Sequence, residues 1–172
     1  NADALIIDLR NNGGGNPSMT QLIACYLFTS KPVHLNTFYD KPTDTYSDSW
    51  TFPYVPGKRN PDMDVYILTS GNTFSAAEEF AYDLKNLKRA TIRGENNGGG
   101  AHTGSNEIAD ERFIVFVPKG KGINPITKTD WEGVGVKPDV SVPASDALAT
   151  AQIMALENLE KKYGETNNII YK

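Results

Sequence analysis

The chain has 172 residues, 39% of them hydrophobic and 22% charged, and a net charge of -4. That is enough for one domain with a real core, in the composition of an ordinary globular protein. The balance excludes a basic nucleic-acid face and a polybasic membrane anchor, and the apolar runs are too short to span a bilayer. A single cysteine, Cys25, rules out an internal disulfide; its place on an apolar helical face reads as a buried structural thiol. Two histidines, His34 and His102, with no CxxC or HExxH pattern, leave a metal site or other cofactor unexpected.

Asn1-Ala2 reads as a tag remnant, and the strand beginning at Ala4 suggests a piece of a longer protein. Ala4 to Leu9 is a buried strand, interrupted only by Asp8. The turn Arg10 to Pro17 carries Gly13, Gly14 and Gly15, and Pro17 opens a helix that runs to about Thr29. A phosphate-cradling loop is the rival reading, but no lysine follows the glycines. Val33 to Phe38 is a second strand. Asp40 to Asn60 is expected to be a surface excursion or substrate-facing flap with aromatic anchors Trp50 and Tyr54.

Val65 to Leu68 is an apolar, β-branched strand ending in the turn Thr69 to Asn72, and a helical pattern starts at Ser75. Ala76, Ala77, Phe80, Ala81 and Leu84 share one broad face, while Glu78, Glu79, Asp83 and Lys85 read as the polar side. Ser75 has two readings. It is an N-cap, with Glu78 completing a capping box, or it is a nucleophile on a strand-to-helix corner with the Ala76 amide free for an oxyanion. Further on come a short strand at Ala90 to Arg93, a second Gly-rich loop from Gly94 to Gly104, and a strand at Phe113 to Val117 followed by a turn at Pro118. A turn-rich segment spans Trp131 to Val140. A last helix, from about Ser145 to Tyr163, presents Ala149, Ile153, Leu156 and Leu159 on one face. The alternation predicts an α/β fold with a largely parallel sheet, gathering both Gly-rich loops and Ser75 at strand carboxyl ends.

Three segments in order, LIIDLRNNGGG (Leu5 to Gly15), ILTSGNTFSAAEEFAYDLKNLKRATIRGE (Ile67 to Glu95) and WEGVGVKPDV (Trp131 to Val140), resemble the C-terminal processing, or tail-specific, serine peptidase family. The GGGAH and WEGVGVKPDV strings look closest to its tricorn-core and interphotoreceptor-retinoid-binding-protein-like branch. The resemblance implies a crotonase-like ββα spiral core, here incomplete at the N-terminus. It implies Ser75 as nucleophile and an oxyanion hole from Gly14 or Gly15 with Ala76. The tail-specific branch places a lysine base 25 positions after the serine, where this chain has Gly100, so a Ser–Lys dyad is absent. The tricorn-like alternative is Ser–His–Glu, with Glu132 at the glutamate position and the histidine in a region upstream of Leu5. His102 is the one local candidate for that base.

The expected protein is therefore a serine peptidase domain over residues 1–164, lacking its N-terminal part, with a polar tail at 165–172. It would cleave peptide or protein substrates through an acyl-enzyme, poorly as an isolated fragment, and cooperate with N-terminal domains of the full-length protein. The rival is a non-catalytic module binding a retinoid, fatty acid or other apolar ligand. The resemblance implies an exported, periplasmic or extracellular setting.

Overall fold

The computed structural model describes residues 2–164, so the expected tail at 165–172 lies outside the described residues. Four strands form a wholly parallel sheet in the order β1-β4-β5-β8: β1 (Ala4–Asp8), β4 (Asp64–Thr69), β5 (Thr91–Gly94) and β8 (Val140–Ser141). With the helices packed on it, this is the α/β architecture that the alternation predicts. The central strand, β4, explains the layering. Its side chains alternate, so Val65 and Ile67 join the larger core beneath α1 (Pro17–Leu27) and α2 (Ala76–Asn86). Tyr66 and Leu68 face the opposite way, onto α3 (Ala147–Tyr163). All four are at most 4% exposed, as a strand covered on both faces must be.

The helix α3 begins and ends where expected but turns a different face inward. Ala147, Ala151 and Ala155 are buried, whereas Ile153 and Leu156 are 56% and 62% exposed. Small residues every four positions let the helix backbone approach the sheet closely, and the larger apolar side chains on the other side are left outside.

A second, antiparallel sheet runs β3-β2-β7-β6, built from β2 (His34–Asp40), β3 (Thr45–Trp50), β6 (His102–Ile108) and β7 (Ile114–Ile123). Here three expectations need correction. About a third of the Asp40–Asn60 excursion is strand, because Thr45–Trp50 pairs with β2; its mixture of Thr, Ser, Asp and Tyr hides the strand from a hydrophobic pattern. Trp50 stacks on His34 at 4.4 Å, inside this sheet, while Tyr54 stays exposed. The second Gly-rich loop gives way to β6 at His102. Finally, Pro118 does not end its strand. It pairs with Gly104 beside a register shift at Thr103/Gly104, and that irregularity absorbs the residue without an amide proton.

Candidate active site

The corner at Ser75 is held from below by side chains of the turn that precedes it. Thr73 Oγ1 donates to the Leu9 carbonyl at 2.7 Å, Ser70 Oγ to the Arg10 carbonyl at 2.5 Å, and the Phe74 amide to the Asn12 carbonyl at 3.1 Å. The exit of β4 is thereby stitched to the exit of β1, and the glycine turn after β1 lies against the start of α2. Contact is close at Gly14. A methyl group there would fall 2.7 Å from Ser75 Cβ, 2.9 Å from the Phe74 carbonyl oxygen and 3.1 Å from the Ala76 amide nitrogen. Gly14 also has φ of +103°, so only glycine satisfies both the space and the backbone.

Ser75 itself is held at φ 55°, ψ -125°, a conformation that costs a non-glycine residue of order 1–3 kcal/mol. The capping interpretation holds in part. Glu78 Oε2 accepts the Ser75 amide at 2.8 Å and the Glu78 amide faces the Ser75 side chain in the other half of the box, while Ser75 also lines the cavity. The Ala76 amide, first in the helix, and the Gly15 amide have no acceptor among the described residues. The Gly14 amide is engaged by Asn12 Oδ1 at 2.9 Å.

Glu78, expected on the polar face, is fully buried. Its carboxyl group also accepts the amides of Gly99 at 2.6 Å and Gly100 at 2.9 Å, drawing the second Gly-rich loop onto the first turn of α2. Where a lysine would stand in the tail-specific pattern, Gly100 lies beneath the Phe74 ring, and a methyl group there would collide with Phe74 Cζ.

Glu132 performs a similar service on the far side of this loop. Its Oε2 accepts the Ala101 and His102 amides at 2.7 and 3.0 Å. The His102 ring lies between two carboxyl groups, with Nδ1 3.8 Å from Glu132 Oε1 and Nε2 3.5 Å from Asp130 Oδ2. Ser75, Gly15, Ala76 and His102 line one cavity of about 260 Å³, walled by Pro17, Phe38, Phe116 and Trp131. Gly14 stands behind Ser75, and Glu132 reaches the site through His102. His34 does not line this cavity and is tied to Thr37 and Asp48 on the antiparallel sheet.

The sequence reading misses Glu79 and Asp83, which it assigns to the solvent face. They are 6% and 5% exposed. Burial pushes the Glu79 carboxyl up to about 7, opposed in part by the neighbouring Asn36 amide. Burial, and then the nearby Glu79 charge, raise Asp83 well above the carboxylate range; Asn124 Nδ2 donates to it at 3.1 Å. A signal was present: Asp83 lies seven positions beyond Ala76, on the same side of the helix. Among the described residues no group of His, Cys, Asp and Glu side chains could hold a metal ion.

A strained hydroxyl-bearing corner at a helix N-terminus, beside a glycine loop with free amides, is the type of strand–turn–helix site used by serine hydrolases. Comparison with known proteins gives the family. The family model described as Peptidase family S41 matches residues 1–142, and the chain belongs to that family. Its fold is shared with a candidate peptidase of Parabacteroides merdae ATCC 43184, at 22% identity and TM-score 0.72, over 90% of this chain and 52% of that one. It also resembles a photosystem II D1 C-terminal processing protease, at 23% identity and TM-score 0.65, over 83% and 35%. A third likeness is to the tricorn protease, at 21% identity and TM-score 0.53, over 92% and 15%. The chain thus spans about half or less of the length of these structures.

Proposed function

We propose that this chain carries the nucleophile and oxyanion hole of a serine peptidase that cleaves peptide bonds through an acyl-enzyme. The observation that carries the reading is Ser75, held at positive φ on the wall of the cavity, next to the amides of Ala76 and Gly15, which have no acceptor among the described residues. In this mechanism Ser75 Oγ attacks the scissile carbonyl and its proton passes to a base. The amides of Ala76 and Gly15 hold the developing oxyanion, while Gly14 permits the close approach rather than donating. The base returns the proton to the leaving amine, and water then hydrolyses the ester. Glu132 orients the base.

The base is a histidine supplied from outside the present sequence, in keeping with the Ser–His–Glu pattern. A second reading is favoured by one observation: His102 lines the Ser75 cavity and lies between Glu132 and Asp130. The two separate cleanly. A fluorophosphonate probe should label Ser75 of the full-length protein and not Ser75→Ala. Labelling that survives His102→Ala places the base elsewhere, and labelling lost in that variant makes His102 the base. An apolar-ligand module fits less well, because the cavity is smaller than the ~300–1,000 Å³ usual for such sites and Glu79 lies on its wall. A full-length protein that stays unlabelled yet binds such a ligand would reverse this choice. The peptidase is read as exported, from the family resemblance; no helix among the described residues is long and apolar enough to cross a membrane. Fractionation of cells producing the full-length protein tests this.

A further inference from the structure

The geometry points to Glu79 as a specificity-determining residue: its carboxyl group receives the cationic head of a lysine or arginine, on the peptide residue whose carbonyl Ser75 attacks. This rests on the peptidase reading above.

Glu79 lines the same cavity as Ser75 and Ala76 and is 6% exposed. The amide nearest its carboxyl group is that of Asn36, fully buried, yet Asn36 Nδ2 completes no hydrogen bond. The acid is therefore enclosed with the Asn36 amide beside it as an incomplete partner. Burying an acid without a partner is costly, and the cost is relieved by a donor or cation arriving from the open side. No lysine or arginine lines the cavity. The next acid along the helix, Asp83, adds negative character behind Glu79, and Asp130 and Glu132 do the same around His102 at the rim.

Length and shape agree with such a guest. Glu79 follows Ser75 by four residues, about one helical turn or ~6 Å along α2. A four-carbon stem starting near the Ser75 hydroxyl spans that depth. Pro17, Phe38, Phe116 and Trp131 offer the stem apolar walls while its charged head reaches the acid. An apolar side chain of the same length would remove water from Glu79 and leave it unpaired, the arrangement by which polar sites reject apolar analogues. Burial raises the Glu79 pKa to about 7, and an entering cation favours its ionised form.

The test uses the full-length protein and two peptide substrates that differ only in lysine or norleucine at this residue, the same stem with and without its charge. The lysine peptide should have at least tenfold the kcat/KM of the norleucine peptide. Glu79→Gln should bring that ratio to within about threefold of unity, and Glu79→Asp should retain most of it. Equal turnover of the two peptides by the wild-type protein overturns the assignment without any variant. So does a ratio unchanged in Glu79→Gln. Fluorophosphonate labelling of wild-type Ser75 is run alongside. Labelled protein with no lysine preference sinks only the Glu79 role, whereas unlabelled, inactive protein sinks the peptidase reading and this inference with it.

Discussion

The Glu78 carboxyl group accepts the Gly100 amide at 2.9 Å, from a position on α2 that is closed to solvent. The same side chain accepts the amides of Ser75 and Gly99, so one residue fixes the Ser75 corner and the loop facing it. Glu78→Ala would leave three amides without their acceptor, at about 1–3 kcal/mol for each buried donor. We expect at least about 3 kcal/mol lost in chemical denaturation and a smaller loss for Glu78→Gln, which retains one acceptor oxygen. Equal stability of Glu78→Ala and wild type would show that the loop is held by other contacts.

Gly14 and Gly13 should respond differently to the same methyl group. At Gly14 it meets Ser75 Cβ and the Phe74 carbonyl, in a backbone conformation L-residues avoid; at Gly13 nothing lies within 4 Å. Gly14→Ala is expected to cost roughly 2 kcal/mol or more and to abolish probe labelling of Ser75. Gly13→Ala should stay within about 0.5 kcal/mol of wild type. Thermal melts and labelling of both variants check the pair.

The Phe74 ring covers Gly98 and Gly100, so installing the lysine of the tail-specific branch has a steric consequence. Gly100→Lys must swing the ring into solvent, and its Tm should fall by several degrees. Phe74→Ala combined with Gly100→Lys should recover part of that fall, since the collision is removed. Additive losses in the double variant would count against the contact.

Stability should depend on pH through Glu79. Its carboxyl is raised from 4.5 to about 7 in the folded protein, so the native state binds more protons than the unfolded chain across that interval. Stability is then greatest below about pH 4.5 as far as this group is concerned, and falls as pH rises through about 7, by roughly 3 kcal/mol at most. Asp83, also raised, acts with the same sign. Glu79→Gln should flatten the slope in that window. An unaltered slope, measured by urea denaturation at several pH values, would assign it to other groups.

The two sides of α3 give a packing test. Leu156→Asp, on the exposed side, should change stability by less than about 0.5 kcal/mol. Ala151→Leu, at a position with no exposure, should cost about 1–3 kcal/mol by forcing the helix off the sheet.

Much of this protein was legible in local order alone. The strand Val65 to Leu68, the turn at Thr69 to Asn72 and the helix from Ala76 announce themselves through period and punctuation, and so does the glycine turn after β1. They are local features, set by backbone permission and by which side chains repeat on one face. Pairing was not local. Thr45–Trp50 became a strand because β2 offered it an edge, and Pro118 was carried through β7 because Gly104 opposite it yielded the register. The site divides in the same way. The sequence by itself determined that a serine would stand at a strand-to-helix corner near glycines. Only the tertiary structure decided that Glu78 would bind two loops, that Glu79 would be enclosed beside Ser75, and that α3 would turn its alanines inward. The physical reason is that an acid on a helix reads as polar surface until a second sheet covers it, and covering is a property of distant segments brought together.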